Sequence, residues 1–261
     1  MQLTEVDYEL TDGVATLTLN RPERRNAITT VMLAELIYAL EACADNKAVR
    51  VVVLRGAGRG FCPGDDLRGM GPLPEDFASQ PERPVTHAAL QAVLQELEKP
   101  TVAAIHGFAF GVGLDLAMAC DFRVAEASAV LRDQRVIERG MHAVTGCAWF
   151  HPRVMGVARA LEFLILGEPL TGEQAAALGM VTRVARAGEF DEMIATLAAR
   201  LAKAPTKAIG LMKRQVYEGL NMTHAEFMAF AGPLMNEVEI VDRQEGIQAF
   251  LEKREPRFTG E

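Results

Sequence analysis

The sequence predicts an α/β protein in which strand–helix alternation gives way near residue 200 to an all-helical tail. Three observations carry this reading. Val14–Leu19 alternates in the manner of a half-buried strand, and Val49–Leu54 and Thr101–Ile105 are short, β-branched apolar runs of the kind buried strands show. Between them, apolar residues recur at helical spacing. With 261 residues, 49% hydrophobic and 24% charged, the chain has enough apolar material for one large core. The expected division is a core over 1–198 and a helical segment over 199–261.

After the first strand, Leu33, Leu36, Ile37 and Leu40 mark one face of a helix. Leu90, Val93, Leu94 and Leu97 mark a second helix, which Pro100 stops before the strand at Thr101. Phe122–Ala125 reads as a further short strand, and Ala158–Leu166 as a helix closed by Gly167. Thr171 and Gln174 have capping-box spacing and open a short helix that Gly179 ends. Val181–Val184 is the last expected strand. From Phe190 the pattern is helical, interrupted at Pro205, with a second capping box at Thr223 and Glu226. Phe227, Phe230, Leu234 and Phe250 are the expected apolar anchors of the tail.

Composition narrows the function. A net charge of −8 argues against general nucleic-acid binding, which needs clustered Lys and Arg, although a local basic patch can still hold an anionic cofactor. Cys43, Cys62, Cys120 and Cys147 are far apart and include no CxxC pair, so reduced, buried thiols of a cytoplasmic protein are expected. Met1–Asp12 carries four acids and no apolar run, unlike a signal peptide. No stretch reaches the roughly 20 apolar residues of a membrane helix.

Two glycine-containing turns, each following a buried strand, are the candidates for chemistry. One is Gly58–Leu67 and the other His106–Asp115, which runs into an apolar helix through Cys120. A glycine turn at a helix N-terminus exposes unpaired N–H groups beside a partial positive charge. Two such turns side by side can aim two donors at one developing oxyanion. Better-known sites do not fit. There is no GxxxxGK(S/T) and no GxSxG, and Leu116 stands where a dinucleotide fingerprint needs its third glycine. His106 and His142 are isolated, so no metal is expected.

These residues resemble the crotonase, or enoyl-CoA hydratase/isomerase, superfamily. Asn20-Arg21-Pro22-Glu23-Arg24-Arg25-Asn26-Ala27-Ile28 is similar to its NRPxxxNAL pattern, and Phe61–Leu67 to its F-(C/S)-A-G-x-D-L loop. Lys99–Asp121 resembles KPxIAAVxGxAxGGGxELAxACD, and Gln244–Arg254 resembles the closing EGxxAFxEKR. The resemblance implies a spiral of ββα units, a C-terminal helical segment that mediates trimers or hexamers, and an acyl-CoA thioester substrate with no permanently bound cofactor. It places the thioester oxygen between the N–H groups of Asp65 and Val112, the latter where the family usually has glycine. For CoA it points to Arg24, Ala27, Arg68 and Lys253.

It also implies two catalytic glutamates. Asp115 stands at the first, one methylene shorter. For the second, counting from Asp115 reaches Arg135, and counting back from Gly140 reaches Val136; neither is a carboxylate. Asp133 and Glu138 are the nearby acids, with Glu138 the candidate partner of Asp115. The usual PGAGG downstream is replaced by Ala143–Cys147. The leading expectation is an enoyl-CoA hydratase or isomerase with a modified acid pair. The alternatives are another crotonase reaction, such as decarboxylation or thioester hydrolysis, and a non-catalytic acyl-CoA binder. Phe77, Ser79, Pro81 and Pro84 belong to a Pro-rich segment where the family often covers the acyl pocket.

Overall fold

The computed structural model describes residues 3–73, 83–237 and 239–261; Phe77, Ser79 and Pro81 lie outside them, and Pro84 is exposed. The chain opens with an antiparallel hairpin, β1 (Val6–Thr11) and β2 (Val14–Leu19), turning at Asp12 and Gly13 with φ of 50° and 81°. This is the Asp-Gly turn whose twist suits a tight hairpin. Strands β3 (Val51–Gly56), β4 (Thr101–Ile105), β6 (Phe122–Glu126) and β9 (Arg183–Ala185) add in parallel, giving the order β1-β2-β3-β4-β6-β9. The strand expected from Val49 begins at Val51, where pairing with Val14 starts.

A second, three-stranded sheet joins β5 (Phe108–Phe110), β7 (Val130–Arg132) and β8 (Leu170–Thr171). The expected ββα turns follow from this division. Strands β4 and β5 lead into α3 (Val112–Ala119), and β6 and β7 lead into α4 (Arg135–Arg139). One turn earlier, β3 leads to Cys62, which bridges Ala109 of β5, and then to α2 (His87–Glu96). Helix α1 (Thr30–Asp45) follows the hairpin.

The period-2 geometry of the strands explains their near-continuous apolar runs. Val52, Leu54, Ala103, Ile105 and Ala125 face the main core with residues of α1, α2 and α3. Their neighbours Val51, Val53, Val102, Ala104 and Val124 face the opposite way, onto Phe190, Ile194, Leu197, Ala198 and Leu201 of α8 (Phe190–Ala202). The boundary expected between 198 and 199 therefore falls inside a helix that completes the core.

Between the sheets and α8 lie α5 (Cys147–Met155), α6 (Val157–Leu166) and α7 (Gly172–Ala177). Gly167 closes α6 in the left-handed region, and the Thr171–Gln174 capping box opens α7. The tail comprises α9 (Thr206–Gly219), α10 (His224–Glu237) and α11 (Asp242–Glu252). A buried ion pair, Lys213 to Asp121 at 2.8 Å, ties α9 to the core, and Tyr217 donates to the same aspartate at 3.0 Å. Of the expected tail anchors, Leu234 is buried, Phe227 and Phe230 are half-buried, and Phe250 is 82% exposed. The four cysteines are free and buried. Among the described residues, no helix is long and apolar enough to cross a membrane.

Candidate active site

The parallel strands β2, β3 and β4 all end on one side of the sheet, and the loops that leave them there converge, as ligand sites of open α/β sheets do. The clamp is Asn26. The chain after β2 makes a short 3-10 turn at Pro22–Arg24, and then Arg25 and Asn26 take φ of 57° and 66°. That left-handed excursion turns the Asn26 side chain inward. Its Oδ1 accepts from Arg21 N at 3.1 Å, and its Nδ2 donates to the carbonyls of Ala57, Gly60 and Phe61 at 2.8, 3.0 and 3.2 Å. One buried amide thus fixes the loop after β3 to the loop after β2.

The next residues fix the backbone around Asp65. Ile28 N donates to Gly64 O and Asp66 N to Ile28 O, both at 2.9 Å, so the intervening Asp65 N–H is left off this bridge. Gly64 needs φ of +99°, and a Cβ there would lie 3.4 Å from the nitrogen of Val112. The two turns are joined directly, Phe110 N donating to Cys62 O at 2.9 Å. Val112 opens α3, so its N–H has no intrahelical acceptor. Its side chain is buried in the main core, which keeps the isopropyl group away from solvent. Gly113 packs directly on the carbonyl of Cys62, where a Cβ would come within 2.5 Å.

One turn into α3 stands Asp115, 0% exposed. The structure does not bring Glu138 to it. Glu138 is half-exposed and pairs with Arg132. Asp115 instead meets Arg135, whose Nη1 donates to Oδ2 at 2.8 Å and Nη2 to Oδ1 at 3.2 Å. Thr145 Oγ1 accepts from Arg135 Nη1 and donates to Asp115 Oδ2, each at 2.6 Å. Arg135 Nε also donates to both oxygens of Asp133, at 2.9 and 3.1 Å, and Nη2 to Asp133 Oδ2. Arg135 is thus the residue turned inward, while Val136 is exposed.

Electrostatics follow from this count of charges. One guanidinium is divided between two buried carboxylates. Burial pushes the Asp115 carboxyl up to about 6, against the opposing pull of Arg135 and Thr145. Burial disfavours the charged Arg135, but the hydrogen bonds it donates to Asp133 and Asp115 outweigh this and raise its pKa. Ligand atoms of Asp115, Asp133 and Cys147 lie within 4.8 Å of one another, a donor set able to hold a metal. Arg135 pairs with both of those carboxylates and already supplies the balancing cation.

The expected CoA residues separate into two groups. Arg24 and Arg68 are exposed on the loops after β2 and β3, and Ala27 is buried between them with its carbonyl accepting from Arg21 at 2.6 Å. Lys253 is elsewhere. It caps α11, and the tail beyond it folds onto Arg50, before β3 begins, at the opposite ends of the strands. Sequence reasoning missed the roles of Arg135, Asp133 and Thr145, and also His87, whose Nε2 lies 2.8 Å from Asp65 Oδ1. The twenty-residue spacing from Asp115 was the available signal for Arg135; the Asp65–His87 pairing left none.

The family model described as enoyl-CoA hydratase/isomerase matches residues 9–261. The chain is 34% identical, over 100% of both chains, to a Rhodobacter capsulatus protein named "Probable enoyl-CoA hydratase". It is 36% identical, over 95% of both, to the 1,2-epoxyphenylacetyl-CoA isomerase of Escherichia coli. Among solved structures, the enoyl-CoA hydratase of Mycobacterium smegmatis superposes with a TM-score of 0.85 at 31% identity, covering 98% of this chain and 99% of that one.

Proposed function

The chain belongs to the enoyl-CoA hydratase/isomerase family, and from that premise we propose that it moves a proton along the acyl chain of a CoA thioester through an enolate, rather than adding water. The observation that carries this reading is Arg135. Hydration by the family's route uses two carboxylates to orient and activate a water, and here a guanidinium stands at the second position, bonded to the first. An arginine cannot take up a proton at neutral pH. Asp115 then acts as the principal acid/base that removes the α-proton.

In this reading the thioester oxygen lies between the Asp65 and Val112 N–H groups, where charge develops as the α-proton leaves. The N-terminus of α3 adds its partial positive charge. Arg24 and Arg68 meet the phosphates of coenzyme A, which is part of the substrate, and Ala27 offers backbone; Lys253 lies away from these three within one chain. The free thiols are consistent with a cytoplasmic enzyme. A trimer-based assembly covers the exposed apolar residues of the tail, Met212, Val216, Ile247, Phe250 and Leu251; sedimentation as a lone monomer at micromolar concentration would overturn that part.

The test is turnover of a 3-enoyl-CoA by the parent protein and by Asp115→Asn. Double-bond migration should fall at least about 10²-fold in the variant while CoA-ester affinity changes little. The parent kcat/KM should rise with pH through about 6, because the base works deprotonated. Unchanged turnover in Asp115→Asn, or a 3-hydroxyacyl product formed as fast as the migrated double bond, would refute the reading.

A further inference from the structure

We propose that His87 is a second proton-transfer residue of this site, held in place by Asp65 and supplying the exchange that Arg135 cannot. The inference rests on the enolate reading above and names the group that completes it. Asp65 ties His87 to the site. Its backbone N–H is the proposed oxyanion donor, and its side chain, on the same residue, accepts the imidazole at 2.8 Å. Ordinary bond lengths and the two hydrogen bonds then keep His87 Nε2 within roughly 10 Å of the thioester oxygen.

Both partners sit on fixed elements. Asp65 is in the loop clamped by Ile28 and Asn26. His87 is the first residue of α2, whose N-cap Thr86 accepts from Ala89 N at 3.1 Å and whose Leu90, Val93 and Leu94 are buried in the core. With Nε2 bonded to the carboxylate, Nδ1 is the nitrogen left for exchange, and it has no hydrogen-bond partner among the described residues. A carboxylate that fixes the orientation and tautomer of an imidazole is a recurrent way to prepare a general acid/base. The dyad also stays open, with side chains 29% and 21% exposed.

The step balances with two groups. Asp115 takes the proton from the α-carbon, and the C–H electron pair moves into the enolate, whose oxygen rests on the two N–H donors. The imidazolium of His87 gives its Nδ1 proton to the γ-carbon, the enolate pair forms that C–H bond, and the double bond comes to lie between the α- and β-carbons. Asp115 is left protonated and His87 neutral, and exchange with water resets both.

The experiment follows two signals in D2O with the whole protein: deuterium entering the α-position of a saturated acyl-CoA, and double-bond migration in a 3-enoyl-CoA. His87→Gln should keep α-exchange and lose at least about 10²-fold in migration. His87→Ala should lose migration likewise and regain part of it with added imidazole, at an unchanged melting temperature. Migration at the parent rate in His87→Gln would overturn the proposal. So would joint loss of both signals without imidazole rescue, since that marks a brace between α2 and the loop. Full α-exchange in Asp115→Asn would strike the reading of Asp115 instead, with His87 judged by the migration arm alone.

Discussion

The two turns proposed to hold the oxyanion and the acid wall beside them differ in what they take from the sequence. The turns contribute backbone N–H groups, held by Asn26, by the Ile28 bridge and by glycines at Gly64, Gly111 and Gly113. Asp65 and Val112 can therefore vary in side chain and still donate. The wall contributes side chains, and there one residue changes the chemistry: Arg135 turns a place for a second acid into a cation bound to the first. A scaffold of this kind keeps the enolate and lets the fate of its proton change.

The largest expected effect lies in the wall. Arg135→Met leaves Asp115 and Asp133 buried and facing each other with no cation between them, which should destabilise the fold by about 3–5 kcal/mol in denaturant unfolding. It should also push Asp115 further up, moving the rise of kcat/KM to higher pH. A loss under about 1 kcal/mol would mean the charges are solvated in solution and the wall is not closed. The turns should respond less. Gly64→Ala forces a side chain onto φ of +99° and against Phe110 O and Val112 N, at 3.3 and 3.4 Å. We expect about 1–3 kcal/mol of destabilisation and about a 10-fold drop in kcat, because both donors move. A stable variant with a parent kcat would show that the turns tolerate displacement. The smallest effect should come from Glu138→Gln, within about 0.5 kcal/mol and with unchanged turnover, since its partner Arg132 is on the surface side. A loss of about 10²-fold there would return Glu138 to the chemistry.

Much of the fold was legible because the strands are buried on two faces. Val14–Leu19 and Thr101–Ile105 have the expected bounds, and both capping boxes form. Strand β1 escaped because it is an edge, with Val6 its one fully buried residue and its acids facing outward. Helix α5 escaped because Pro152 lies inside it and Gly146 precedes it. In the site, the glycine turns and Asp115 stood out, since backbone strain and motif spacing leave local marks. Arg135 did not. A buried arginine, 5% exposed, looks like any surface arginine until the two carboxylates that neutralise it are seen in space. Asp65 and His87 are 22 residues apart and meet through tertiary packing alone.

Helix α8 also shapes the protein's history on the ribosome. Val51, Val53, Val102, Ala104 and Val124 are synthesised well before the residues of α8 that cover them. Until Leu201 has emerged, the growing chain carries a parallel sheet with one apolar face bare, a surface open to self-association or to a chaperone. Folding of this core is thus closed from its C-terminal side, and translational pauses before Phe190 would lengthen the exposed interval.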